Sequence, residues 1–197
     1  MPLLPEHIAP DPLVTMAAWI DEARASGQPQ PNAMALATAG LDGRPSARMV
    51  FVREWGPHGV AWLTDDRSRK ARDIRERGDG AGVFFWAGLG RQLRVEGPVH
   101  LLERQAVDAL FARRRPETRA AAWAWHQGEP LDGRADLIRR LSATRGETLP
   151  DTAPPSWVGH RLEPLQMEFW QEDPDGLHDR LLAVRDHTNW RISRIAP

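Results

Sequence analysis

Apolar residues along the chain come in short runs broken by Gly, Pro and Asp-Gly pairs, a spacing that predicts strands more often than helices. Ala33–Ala39 (AMALATA) reads as a buried strand, and Ser46–Arg53 (SARMVFVR) as the strand returning beside it. Leu41-Asp42-Gly43-Arg44, with its Asp-Gly pair, is the hairpin turn between them. A third strand, Gly59–Thr64, follows Gly56-Pro57. Gly82–Ala87 (GVFFWA) and Gln92–Leu102 (QLRVEGPVHLL) are two more, joined through Gly88-Leu89-Gly90. The last third adds Val158–Leu162, Leu165–Gln171, His178–Val184 and Trp190–Ile195.

Helical spacing is confined to the stretches between these runs. Asp11 suits an N-cap and Pro12 a first helical position, and Leu13, Met16, Ala17 and Ile20 then share a face to about Ala25. Ser68–Arg77 is a short basic helix with Ser68 as its cap. From Glu103 to about Arg114 the pattern puts Val107, Leu110 and Phe111 on one face, and further helix is predicted over Glu117–Trp125 and Asp132–Thr144. Trp123 and Trp125, two apart on a helix, cannot share a face, so at least one should meet a pocket or interface. The early connections are hairpin-short, which excludes a parallel βαβ sheet, and no Gly-x-Gly-x-x-Gly joins a strand to a helix. The expected architecture is a mainly β barrel with peripheral helices. It forms one domain over residues 1–197, with a helical insertion at about 103–145 and a distinct C-terminal region at about 157–197.

Composition removes whole classes of chemistry. With no cysteine, disulfides, thiolate catalysis and Cys-based metal sites are excluded. His126, His160, His178 and His187 lack metal-ligand spacing, so no metal centre is expected. A net charge of −1 gives no general pull towards nucleic acid or anionic membrane, and Arg113-Arg114-Arg115 reads as a helix-end cation cluster or an anion clamp. The first residues lack a secretory signal, and no window approaches a membrane span, so a cytoplasmic location is expected. Tyr is absent and Trp numbers 9, so no tyrosine hydroxyl takes part in any site.

Three places carry candidate chemistry. Arg48 and Arg53 bracket one strand; taken alone they are solvated strand-end arginines. Thr64 with Ser68-Arg69-Lys70 puts a hydroxyl and two cations at a strand-to-helix junction. Free backbone N–H groups and the helix dipole suit a phosphate dianion there, although a capped basic helix has the same residues. Arg91-Gln92 offers an amide to a planar heterocycle, or is an exposed strand pair.

In order, these match the series R-x-V-x-x-K, T before S-R-K, R-Q, Q-S, E-F-W-Q and R-L-H-D-R. The chain therefore resembles the pyridoxine/pyridoxamine 5′-phosphate oxidases. The match runs from Asp11-Pro12-Leu13, with Trp19 in its expected place, to Arg194-Ile195-Ala196-Pro197. The resemblance implies an FMN-binding split β-barrel, a homodimer with the cofactor at the subunit interface, and O2 as electron acceptor. It places Arg48, Arg69 and Lys70 on the FMN phosphate, with Leu63 and Thr64 nearby. It sets the backbone of Met49, Val50, Phe51, Val52 and Arg53 along the isoalloxazine edge. Gln92, Gln127, Trp170 and Arg180 would complete the cofactor site, with Gly128 in place of the family's serine.

On the substrate side the resemblance assigns Arg53, Leu110, Arg114, Thr118 and His178, with His178 and Arg180 next to the reacting centre. The sequence departs from the family here. Gly176 replaces the first arginine of R-L-H-D-R, Arg53 the phosphate-contacting lysine, and Leu110 a tyrosine; Arg and Lys are not equivalent at such contacts. Leu110, the Trp125-His126-Gln127 region and Ala35–Ala39 are similar to the late-stage oxidases of phenazine biosynthesis. The expected function is an FMN-dependent oxidase taking a hydride from a small amine or dihydro-aromatic substrate. Genuine oxidation of pyridoxine or pyridoxamine 5′-phosphate remains open, as does a non-catalytic flavin- or heme-binding protein of the same fold.

Overall fold

The strands alternate as the sequence requires, and the alternation decides which side chains enter the core. In the computed structural model, which describes residues 2–197, the strands are β1 (Ala33–Ala39), β2 (Pro45–Gly56), β3 (Gly59–Asp65), β4 (Asp79–Trp86), β5 (Arg91–Leu101), β6 (Trp157–Leu162), β7 (Gln166–Gln171), β8 (Asp179–Asp186) and β9 (Asn189–Arg194). Met34 and Leu36 from β1, with Val50 and Val52 from β2, point inward and are buried. Their odd-numbered partners form an outer face of Ala33, Ala35, Ala37, Met49 and Phe51. The helices are α1 (Pro12–Ala25), α2 (Arg69–Arg77), α3 (Arg104–Ala112), α4 (Pro116–Ala124) and α5 (Arg134–Arg145). Asp11 caps α1 by accepting the Leu13 N–H at 3.1 Å.

Sheet order is β4-β1-β2-β3-β6-β5-β7-β8-β9, and β4 also pairs with β5. The first six strands thus close a barrel, the split-barrel architecture, and β7-β8-β9 extend from it as an open sheet. Strand β5 belongs to both. Arg91–Glu96 pairs with β7, whereas Val99–Leu101 pairs with β6. The handover is at Gly97, where an added Cβ would lie 2.1 Å from the Glu163 carbonyl oxygen. Only glycine fits that approach. α1 covers the open sheet from inside, with Trp19 edge-on to Phe169 at a centroid distance of 5.1 Å. A second, smaller core of Val107, Phe111, Ala122, Ala153 and Trp157 holds α3 and α4 against β6.

Three expectations shift. β2 runs on to Gly56 through a β-bulge between Val52 and Glu54, which absorbs the charged Arg53-Glu54 pair that reads as a strand end. β4 begins at Asp79, straight after Gly78 ends α2 in the left-handed region. Gly82 is a place of close approach there, since a Cβ would meet the Met34 sulfur at 2.4 Å. Trp125 is extended (φ −160°, ψ 166°) and leaves α4 at Ala124, so the two-apart argument for Trp123 and Trp125 does not hold. Among the described residues no helix is long and apolar enough to cross a membrane.

Candidate functional site

At the C-terminal end of β3 the chain turns into α2, and the turn gathers polar groups. Lys70 Nζ donates to Thr64 Oγ1 at 2.9 Å and to Gln127 Oε1 at 3.0 Å, and Thr64 also donates to that amide oxygen at 2.9 Å. Among the described residues no carboxylate lies within ion-pair distance of Lys70. Burial, then the neighbouring Arg48 guanidinium, pulls its pKa down to about 8, with Asp65 opposing. Arg48 is held by Leu36 O (3.2 Å), Thr38 Oγ1 (2.8 Å) and Ser46 Oγ (2.8 Å), with Asp73 at 4.0 Å. Arg48, Thr64, Lys70 and Gln127 line a cavity of about 220 Å³ together with the β2 segment Met49–Phe51, Arg53, Leu63, Arg114 and Trp157. A half-buried amine without a counter-ion, beside a guanidinium and a hydroxyl, is the donor set a phosphate dianion requires.

Arg69 stands outside this cavity. It is half-exposed, its Nε is 3.7 Å from Asp73, and its Nη2 donates to the Arg44 carbonyl at 3.2 Å. Asp73 is buried and also accepts from Thr38 at 2.7 Å, so it shares the charge of Arg48 and Arg69.

Arg114 enters the same cavity from the end of α3. Its guanidinium lies 4.4 Å from the Trp157 ring and 5.5 Å from Phe111, and its Nη2 donates to Thr118 O at 2.9 Å. Its Nε is buried without a partner, and burial, then Arg53, lowers its pKa to about 10. Arg53 is likewise lowered, by burial and then by Arg115, and lies over the Phe51 ring at 5.7 Å. The Thr118 hydroxyl is spent on the Arg115 carbonyl at 2.8 Å. Leu110 is buried and lines a neighbouring cavity that Arg53 also bounds.

The remaining expected residues form a second group on the open sheet. Cross-strand register aligns Gln92, Trp170 and Arg180 in one row across β5, β7 and β8. Phe85, opposite Gln92 on β4, begins the row and is exposed. Arg180 is bound bidentately to Glu168, Nε to Oε1 and Nη2 to Oε2, both at 3.0 Å, while Nη1 donates to Ala196 O at 2.9 Å. The buried Glu168 also accepts from Arg94 at 3.1 Å, and Arg94 is paired with Glu96. Glu168 therefore fixes the direction of Arg180 and cancels most of its charge, raising its pKa. His178 sits just ahead of β8, 5.0 Å from the Trp170 ring. Its Nδ1 accepts the Asp173 N–H at 3.1 Å, so the neutral ring carries its proton on Nε2, free for a ligand. Gly176 has φ 79°, and its N–H closes this loop onto Asp173 O.

None of Gln92, Trp170, Arg180 or His178 lines the Lys70 cavity. The chain thus carries two groups of candidate residues, one at the barrel and one on the open sheet that extends from it. Sequence reasoning overlooked Glu168 and Asp73, the carboxylates that decide which cations are neutralised. It also overlooked Trp157, the face on which Arg114 rests. Glu168 lies two residues before Trp170 on the same face of β7, and that spacing was the available signal.

Comparison with known proteins bears on this arrangement. Residues 20–146 match the family model for pyridoxamine 5′-phosphate oxidase, and residues 157–197 match the pyridoxine 5′-phosphate oxidase C-terminal dimerisation region. A pyridoxine/pyridoxamine 5′-phosphate oxidase of Burkholderia vietnamiensis is 43% identical over 96% of this chain and 90% of its own length. PhzG from Burkholderia lata, solved with tetrahydrophenazine-1-carboxylic acid, superposes with a TM-score of 0.91 at 34% identity, covering 99% of this chain and 98% of that one. A pyridoxamine 5′-phosphate oxidase-related, FMN-binding protein of Nostoc punctiforme shares the fold at 20% identity, with a TM-score of 0.78 and full coverage of both chains.

Proposed function

The chain belongs to the pyridoxamine 5′-phosphate oxidase family, a family of oxidoreductases, and from that premise we propose that it is a homodimeric FMN-dependent oxidase. The observation that carries the cofactor is the Lys70 cavity: a half-buried, unneutralised amine beside Arg48 and Thr64, suited to a phosphate dianion. Hydride acceptance, and passage of the electrons on to O2, is the chemistry that FMN supplies when bound. Lys70, Arg48 and Thr64 hold its phosphate, with Arg69 at the rim drawing on the field it shares with Asp73. The outer edge of β2 from Met49 to Arg53 and the amides of Gln92 and Gln127 orient the ring. Trp170 and Arg180 would complete the ring's site, with Arg180 held in a direction that Glu168 sets.

The dimer brings the two groups of residues together across the interface. Supporting it are the matched dimerisation region and an exposed apolar stripe on the outer face, Met49 (60%), Phe51 (43%) and Phe85 (63%), set among the alanines of β1. The open face of β5-β7-β8 of one subunit then meets the Lys70 cavity of the other.

For the substrate, the favoured class is a dihydro-aromatic or small amine compound. It is oriented by Arg53 and Arg114, bounded by Leu110 and Thr118, and faced by the Nε2–H of His178. Gly176 offers no guanidinium, and its loop is folded in a conformation natural to glycine. A second reading, oxidation of pyridoxine or pyridoxamine 5′-phosphate, is favoured by the relatives at 43% identity that carry that name. The purified protein is expected to be yellow and to sediment at about twice 22.2 kDa. Its kcat/KM for pyridoxamine 5′-phosphate should fall well below about 10⁴ M⁻¹s⁻¹. A colourless monomer rejects the proposal, and efficient turnover of pyridoxamine 5′-phosphate selects the second reading.

A further inference from the structure

A second cavity, of about 420 Å³, lies between the C-terminal ends of α1 and α3 and the far end of β2. Arg24, Arg53 and Arg113 line it, over an apolar floor that includes Val52, Trp55 and Leu110, and no Asp or Glu does. The acids nearest in sequence are turned to other partners. Asp21 accepts the Trp55 indole N–H at 3.3 Å, and Glu22 pairs with Arg91 at 2.5 Å. Among the described residues, none of the three guanidiniums has an ion pair or a side-chain hydrogen bond. Arg24 and Arg113 stand at helix ends whose dipoles favour cations, which explains why the fold tolerates them, yet neither guanidinium donates to a carbonyl of its own helix. Three like charges around one concave, partly apolar site repel one another until an anion enters.

We propose that this cavity is a subsite for an aromatic carboxylate, whose carboxylate is held between Arg24 and Arg113 and whose ring lies on Trp55, Val52 and Leu110. Planar guanidiniums match a carboxylate in a way an ammonium does not. Arg53 stands in the walls of both this cavity and the Lys70 cavity. A ring anchored here therefore extends towards the cofactor residues. The subsite rests on the proposed oxidase function for one point alone, that its ligand is the substrate.

The test is calorimetric titration of the full-length, flavin-loaded protein with 2-naphthoate and with the neutral 2-naphthamide. The acid should bind at least tenfold more tightly than the amide, and Arg24→Ala or Arg113→Ala should each remove about tenfold of that preference, with Arg24→Lys intermediate. Amide binding, flavin content and melting temperature should not change in these variants. Equal binding of acid and amide, no naphthoate binding at millimolar concentration, or undiminished binding in both alanine variants would overturn the subsite. Repeating the titration on flavin-free protein separates the two ideas. Arginine-dependent naphthoate binding by a protein that never takes up flavin upholds the subsite and rejects the cofactor reading.

Discussion

The two groups of candidate residues handle positive charge in opposite ways. Around Lys70 most of the cavity's cations are left without carboxylates: Lys70, Arg53 and Arg114 have no ion-pair partner among the described residues, burial lowers all three, and only Arg48 reaches one, Asp73 at 4.0 Å. On the open sheet the guanidiniums beside the candidate row are matched, Arg180 by Glu168 and Arg94 by Glu168 and Glu96. The proposed roles account for the difference: holding a dianion would require available charge, whereas aiming a donor at a ring would exchange charge for direction.

The contrast breaks first at Lys70. Lys70→Ala should cost about 1.5–3 kcal/mol of FMN binding, roughly tenfold to a hundredfold in Kd measured by flavin fluorescence. If the groups meet across the dimer, Lys70→Ala and Arg180→Ala subunits co-refolded as a mixture should recover turnover that neither variant has alone, because each hybrid holds one intact site. No recovery on mixing would put both groups in one subunit's site.

Glu168→Gln tests the matched side. It keeps the shape but strips two arginines of their shared buried charge, at a cost of about 1–3 kcal/mol in stability. The melting temperature should fall by several degrees while the Kd for FMN changes far less than in Lys70→Ala. An equal loss of FMN affinity would mean that both groups act by charge.

The pH dependence sharpens the same comparison. In the free protein Lys70 loses its proton near pH 8, well below an ordinary lysine. FMN affinity should therefore weaken as pH rises through about 8, towards tenfold per unit at the limit. The sign for stability is opposite. A lysine depressed on folding binds fewer protons in the native state, so its contribution to flavin-free stability grows from about pH 8 towards 10.5. Lys70→Met should flatten both curves.

The smallest effect expected is at Gly176. Gly176→Arg restores the side chain that the family pattern expects but places it at φ 79°, at a strain of about 1–2 kcal/mol. It should lower stability slightly and raise pyridoxamine 5′-phosphate turnover little. A large gain would mean that the loop readily adopts another conformation.

Most strands and helices were legible because each rests on local signals, such as the Asp-Gly turn at Asp42-Gly43, the Asp11 and Ser68 caps and the Gly88–Gly90 break. Elements whose cause lies elsewhere were not. The bulge in β2 depends on pairing with β3, and the early start of β4 on pairing of Asp79–Ala81 with Glu96–Pro98 of β5. The site divides the same way. Its residue types were visible in the motifs, but their charge states were set by Asp73 and Glu168. Glu168 lies 12 positions from Arg180 and 74 from Arg94, and Asp73 lies 35 from Thr38, so they meet these groups only through helix and sheet register.

The family pattern divides into a part ending at residue 146 and another beginning at 157, yet the chain does not come apart there. β6, the first strand of the later part, is the stave that closes the barrel between β3 and β5. A polypeptide cut between the two parts would leave five staves with two raw edges, an invitation to aggregate, and a tail of strands with no sheet to extend. The division is one of recognisable sequence, and the whole chain from α1 to β9 should unfold in a single cooperative transition.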